Sequence, residues 1–308
     1  MLSLHTNSAA LAAQNSITTT QSSLATSQTR LSTGFRINSS QDDAAGLQIA
    51  TRLKAQTAGM AVAKQNTQNS ISMLQTADGS LSEVTNILSR MKDLATQAAD
   101  ASSTVKDQQA AQSEFDTLTN QLSNIVGNTS FGGTHLLNGT DGKLSTAAVT
   151  FQVGDSQAET MTMDLSGAGT TGSIADMITA LGTATGNQFS ADGTPESAST
   201  GQLAAVGGTS AAANQSTANT AIQGLNDAID AVSAVRSSLG ATENSLQHVF
   251  NNLQNTSTNT TDATGRIMDT DFATESSNMT SQQMLLQAGT AMLKQSNSIS
   301  SLVISLLQ

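Results

Sequence analysis

Three histidines, His5, His135 and His248, are scattered through the 308 residues without the H-E-x-x-H spacing that sets two imidazoles and a general base on one helix face. Zinc requires clustered ligands, so they predict no metal centre. The chain has no cysteine, which removes disulfides, thiol catalysis and Cys-ligated metal. The neighbouring acids Asp42 and Asp43 come nearest to a cation site. They stand directly ahead of Ala44 and Ala45, where acidic groups favour the positive end of a helix dipole, and a helix N-terminus is the stronger reading. Arg30 and Arg36 lie close enough in sequence to pair with these acids once the segment turns. The glycine-rich stretch has neither P-loop nor Rossmann spacing. Most of the 11 methionines fall on apolar stripes, as core fillers rather than copper ligands. The expectation is a chain that is not an enzyme and takes no cofactor or metal.

The elements that must carry such a chain follow from its composition. Charged residues are 11% of it, against about 25% in an ordinary soluble domain. No run approaches the roughly 20 apolar residues that span a bilayer, so no membrane partner is expected. A net charge of −11 argues against nucleic acid, which needs basic surface to displace phosphate counterions. Aromatics are 2%, too few to fill a thick globular core, and this suits long helices lying side by side. The single proline, Pro195, leaves two long regions free of that helix breaker. Met1 to Thr29 holds no Lys or Arg and its apolar residues are spaced, so it does not read as a signal peptide.

Heptads dominate. Leu53, Met60, Thr67, Leu74, Leu81, Leu88 and Ala95 form one column, and Ala63, Ser70, Ala77, Val84, Met91 and Ala98 form a second beside it. Together they predict one long coiled-coil helix, with a bend or break allowed at Gly79. Ala111, Phe115, Leu118, Leu122 and Ile125 mark a second helix, expected to stop at Gly127 and the segment after it, because glycine suits the left-handed position past a helix. A third runs from about Asn214 to Thr260 on Leu225, Val232, Leu239, Leu246 and Leu253. Val149, Phe151 and Val153, then Met161, Met163 and Leu165, alternate as a β-hairpin within about 148–165. Residues 167–209, rich in glycine, read as an exposed tip with a short helix near Ile174–Leu181. The ends are nearly uncharged and carry their own columns: Leu4 and Leu11, then Ile17, Leu24 and Leu31, answered by Met279, Leu286, Leu293 and Leu307, with Leu285, Met292, Ile299 and Leu306 in the column alongside. They predict assembly surfaces for further copies of the chain.

Two runs carry a resemblance. Arg30-Leu31-Ser32-Thr33-Gly34-Phe35-Arg36, continuing through Asp42-Asp43-Ala44-Ala45-Gly46, resembles the N-terminal hallmark of bacterial flagellin. Arg266-Ile267-Met268-Asp269-Thr270-Asp271-Phe272 and the terminal Val303 to Gln308 resemble its C-terminal partner segments. The hook–filament junction proteins of the same superfamily are the alternative. They usually follow the acidic pair with proline, whereas Ala44 follows here.

The resemblance implies a mainly α fold: a long antiparallel helical coiled-coil bundle with a small β-hairpin region. It implies inner-tube terminal helices over 1–43 and 266–308, an outer-tube core over 44–166 and 210–265, and a short surface tip over 167–209. It implies a secreted, extracellular subunit of the flagellar filament, exported without a cleaved leader. Implied partners are further copies of itself, an export chaperone on the C-terminal helix from about Asp271, the filament cap and junction proteins, and a host Toll-like receptor contacting Arg90, Leu94 and Glu114. Arg30, Arg36, Asp42, Asp43 and Gly46 form the connecting segment.

Overall fold

A computed structural model describes residues 7–167, 172–186, 189, 192 and 211–306. Its elements are α1 (Ser8–Thr33), α2 (Ala44–Ala99), α3 (Val105–Asn128), β1 (Ser130–Phe131), β2 (Thr134–His135), β3 (Val149–Gln152), β4 (Thr160–Met163), α4 (Ile174–Ala184), α5 (Ala211–Met268) and α6 (Phe272–Leu306). The chain divides into a terminal unit, Met1–Ala58 with Thr256–Gln308, and a central unit, Gly59–Asn255.

The central unit is built on the stripes that the heptads predict. Leu74, Leu81, Leu88 and Ala95 are fully buried on α2, as are Phe115 and Leu122 on α3 and Leu225, Val232 and Leu246 on α5. They belong to one continuous core. Gly79 does not break α2: it is exposed, with open space where a side chain would be. The burial of Leu74, Ala77, Leu81 and Val84 around it outweighs a helix cost of about 1 kcal/mol.

Three features differ from expectation. α3 stops at Asn128, within the expected segment, but Gly127 is not a left-handed cap: the helix closes at Thr129 in an extended conformation, and the left-handed glycines of this segment are Gly132 and Gly133 in the turn between β1 and β2. α5 runs on past Thr260 to Met268. Residues 172–186 are not an exposed tip. Ile174, Met177, Leu181 and Ala184, spaced three, four and three, are buried in the common core. Close backbone approach seats this helix: a Cβ added at Gly224 of α5 would stand only 3.1 Å from Ala184 Cα. Ser173 caps α4 by accepting from the Asp176 N–H at 3.1 Å. Apart from Gly167, Phe189 and Asp192, the remaining residues of 167–209 lie outside the described ones.

The hairpin forms as predicted. β3 pairs antiparallel with β4, Val149 opposite Met163 and Phe151 opposite Met161, with Val149, Phe151 and Met163 buried. At the other end of the unit a buried polar pair joins three helices. Gln108 donates to the Ala98 carbonyl at 3.0 Å and accepts from Asn214 at 2.8 Å. Gln108→Leu removes the donor from that helix-end carbonyl and the acceptor from a buried amide. The expected loss is about 2 kcal/mol, read as a lower urea midpoint with an unchanged m-value.

Candidate functional site

The terminal unit holds the residues that composition singles out. α1 starts on Asn7, whose side chain accepts from the Ala10 N–H, and ends on Gly34 at φ 76, whose N–H returns to Arg30. α6 starts after Asp271, which accepts from the Ala273 N–H at 2.9 Å and from the Thr274 hydroxyl at 2.8 Å. The two helices pair antiparallel. Asn7 donates to the carbonyl and hydroxyl of Ser296, both at 3.2 Å. At Gly289 the Ile17 side chain packs closely against the α6 backbone, since an added Cβ would stand 3.0 Å from its Cγ1. At the other end, Phe35 forms a β-bridge with Asp269.

The seam between α1 and α6 is thin. Ile17, Leu24 and Leu31 are half-buried on α1, as are Met279, Leu286 and Leu293 on α6. The fully covered residues of these helices, among those described, are polar: Ser27 and Glu275. Leu11 does not join the Ile17 column. It lies six residues away, about a third of a turn off the stripe, and is 54% exposed. On α6 the second column cannot face the same helix as the first. Leu285 is 58% exposed, and Met284 and Met292 are 60% and 66% exposed. The paired helices thus carry an apolar stripe that nothing in the chain covers among the described residues. Leu4 and Leu307, with the side chains of Ile299 and Leu306, lie outside those residues.

The connecting segment is organised by carboxylates. Asp42 accepts from the backbone N–H groups of Asn38 at 3.0 Å and Ser39 at 2.9 Å. Arg30 lies 3.8 Å from Asp42 and 3.9 Å from Glu275, so the expected pairing with the acidic pair is present, through a third acid as well. Asp43 accepts from the Gly46 N–H at 2.8 Å and opens α2, as the helix-start reading predicts. Gly46 is buried, and a Cβ there would run into the Asp43 carboxylate and come within 2.8 Å of Ile37. Arg36 departs from expectation. It pairs with no acid among the described residues but donates to the Ile267 carbonyl at 2.7 Å, while its backbone N–H donates to Met268. The last carbonyls of α5 have no donor within their own helix, and Arg36 supplies one.

The backbone donors of Ser39 and Asn38, ahead of Arg30, hold the Asp42 carboxyl below its ordinary value of 3.8. A depressed folded-state value means that the stabilisation is fully present above 3.8 and is lost as pH falls through the lower folded value. Asp42→Asn should therefore flatten the pH dependence of terminal-unit stability below that point. Amide exchange of Asn38 and Ser39 across an acid titration measures it.

Arg90 and Glu114 form an exposed pair on the central unit, with two guanidinium nitrogens on one carboxylate oxygen at 2.9 and 2.7 Å. Leu94 is only 3% exposed. It faces the core of α2 and α3 and is not available to a receptor, which corrects that part of the expected contact. Among the described residues no set of three or more His, Cys, Asp or Glu gathers as metal ligands, and no helix is long and apolar enough to cross a membrane. Sequence reasoning missed the Asn7–Ser296 clasp, the close approach at Gly289 and the part played by Glu275. Glu275 alone left a signal: it is the last charge before the almost uncharged stretch that follows.

Comparison with known proteins gives two family matches. The bacterial flagellin N-terminal helical region matches residues 4–141, and the bacterial flagellin C-terminal helical region matches residues 222–307. Polar flagellin F of Vibrio parahaemolyticus is 44% identical over 164 residues, which is 53% of this chain and 42% of the relative. Flagellin C of Vibrio cholerae is 42% identical over 164 residues, with the same shares of the two chains. The matched stretch therefore spans less than half the length of these curated relatives. A solved structure of a putative flagellar hook-associated protein from Vibrio parahaemolyticus superimposes with a TM-score of 0.56 over 74% of this chain and 100% of that one. At 14% identity, that likeness concerns the fold alone.

Proposed function

Because the chain belongs to the bacterial flagellin family, we propose that it is the structural subunit of an extracellular flagellar filament, with an assembling rather than a catalytic role. The observation that carries this reading is the uncovered apolar side of α6, formed by Met284, Leu285 and Met292, with Leu11 of α1 likewise exposed. Apolar side chains left in water gain on being covered, by about 25 cal/mol per Å² of apolar surface. A second copy of the same stripe is the cover that a homopolymer supplies. The stretch from Ser276 to Gln308 contains one charged residue, Lys294, so like copies meet without repulsion.

The remaining partners are those that the family resemblance implies. An export chaperone would mask the α6 stripe from about Asp271 onward before assembly, and cap and junction proteins would meet it at the polymer's ends. A Toll-like receptor contact would draw on Arg90 and Glu114 without Leu94. The filament reading is tested by adding purified subunit to sheared filament fragments and imaging by electron microscopy. The fragments should lengthen into continuous helical filaments. Subunit that stays soluble beside unchanged fragments would sink the reading.

A further inference from the structure

We propose that Met284 and Met292 are oxidation sites, and that their conversion to sulfoxides by a peroxide-class oxidant keeps the free subunit out of the polymer. This rests on the filament reading and adds a means of regulating the same surface. The ten described methionines divide by exposure. Met60, Met73, Met91, Met163, Met177 and Met268 are buried, Met161 and Met279 are partly covered, and Met284 and Met292 stand 60% and 66% exposed. The chain has no Cys, Trp or Tyr, so thioethers are its most readily oxidised groups.

The two sulfurs are also where oxidation matters most for assembly. Met284, Leu285, Ala288 and Met292 share the side of α6 that faces away from the Met279–Leu286–Leu293 column, and all four are exposed. A thioether lone pair attacks one oxygen of hydrogen peroxide. The S–O bond forms, the O–O bond breaks, and the second oxygen leaves with both protons as water. The sulfur is oxidised by two electrons and the peroxide reduced by two. An apolar, adaptable side chain becomes a polar acceptor. Covered by a neighbouring copy, that oxygen needs a donor, and burial without one is unfavourable. Assembly would cover both sulfurs, so the sensitivity belongs to the free subunit and is lost in the filament.

The experiment treats full-length subunit with graded hydrogen peroxide, follows each methionine by peptide mass, and measures extension of filament fragments. Sulfoxide should accumulate at Met284 and Met292 before any of the six buried methionines. Extension should fall roughly tenfold or more as those two convert. Methionine sulfoxide reductase with a thiol reductant should restore it. The M284L/M292L variant, compared with its own untreated rate, should keep that rate through the same dose. Unchanged extension with both sites converted would overturn the proposal, as would a leucine variant that loses rate in parallel with the parent. Untreated subunit that fails to extend fragments would instead overturn the filament reading beneath it.

Discussion

Replacing Leu285 by aspartate raises the critical concentration for filament growth by about 100-fold or more and leaves the free subunit folded. Leu285 is 58% exposed, so in the isolated chain the change is a surface substitution worth about 0.5 kcal/mol or less. On the filament reading, the polymer would bury the same carboxylate with no cation of its own helix to meet it. Lys294 is the sole charge from Ser276 onward, and nine residues of helix place it about 13 Å away along the axis. An unpaired charge in an interface costs several kcal/mol, and each 1.4 kcal/mol is a factor of ten in affinity. Soluble subunit remaining after polymerisation gives the critical concentration, and circular dichroism of the monomer gives the fold. Leu286→Asp makes the contrast. Leu286 is half-buried in the seam with α1, so that variant should lose helix in the monomer as well. If Leu285→Asp polymerised at the parental concentration, the exposed stripe would not be the assembly surface.

The heptad columns are legible because each buried position on α2 recurs at the period of a packed helix, and the structure buries Leu74, Leu81 and Leu88 in that order. Where the periodic signal fades, so does the reading. α5 continues to Met268 through Thr260, Thr261 and Thr264, which offer no apolar stripe. There Thr261 and Thr264 donate to the carbonyls of Ser257 and Thr260 one turn earlier, satisfying their hydroxyls within the helix. The burial of α4 escapes the sequence for another reason. Its stripe of Ile174, Met177 and Leu181 is plain, but the glycines around it make the whole stretch resemble a loop. Gly224, far away in sequence, provides the dock, and no local pattern announces it. The partner of Arg36 is hidden because side-chain acids are visible in a sequence and unpaired helix-end carbonyls are not. The burial of Leu94 is hidden because a resemblance transfers residue identity without burial.

A chain cut to residues 59–255 should fold cooperatively and fail to extend filament fragments at any concentration. The common core lies wholly inside this stretch, from Ile71 to Leu246, so removing the terminal unit takes no member from it. Circular dichroism should show a helical protein with a single thermal transition. The terminal helices stand in the opposite condition. α1 and α6 have 26 and 35 residues, yet their described side chains include no fully buried apolar one. Ordering a residue costs about 1–2 kcal/mol in backbone entropy, and half-covered leucines offset little of it. Such a pair gains most of its stability from whatever covers its outer stripe. On the filament reading, the low charge of the ends follows from the same condition. A stripe meant to be covered by its own copies cannot carry a net charge without repelling them, whereas the central unit, with a core of its own, tolerates Asp78, Arg90, Glu114 and Arg236 on its surface. Growth of fragments by the 59–255 chain would place the assembly contacts in the central unit and remove the reason for uncharged ends.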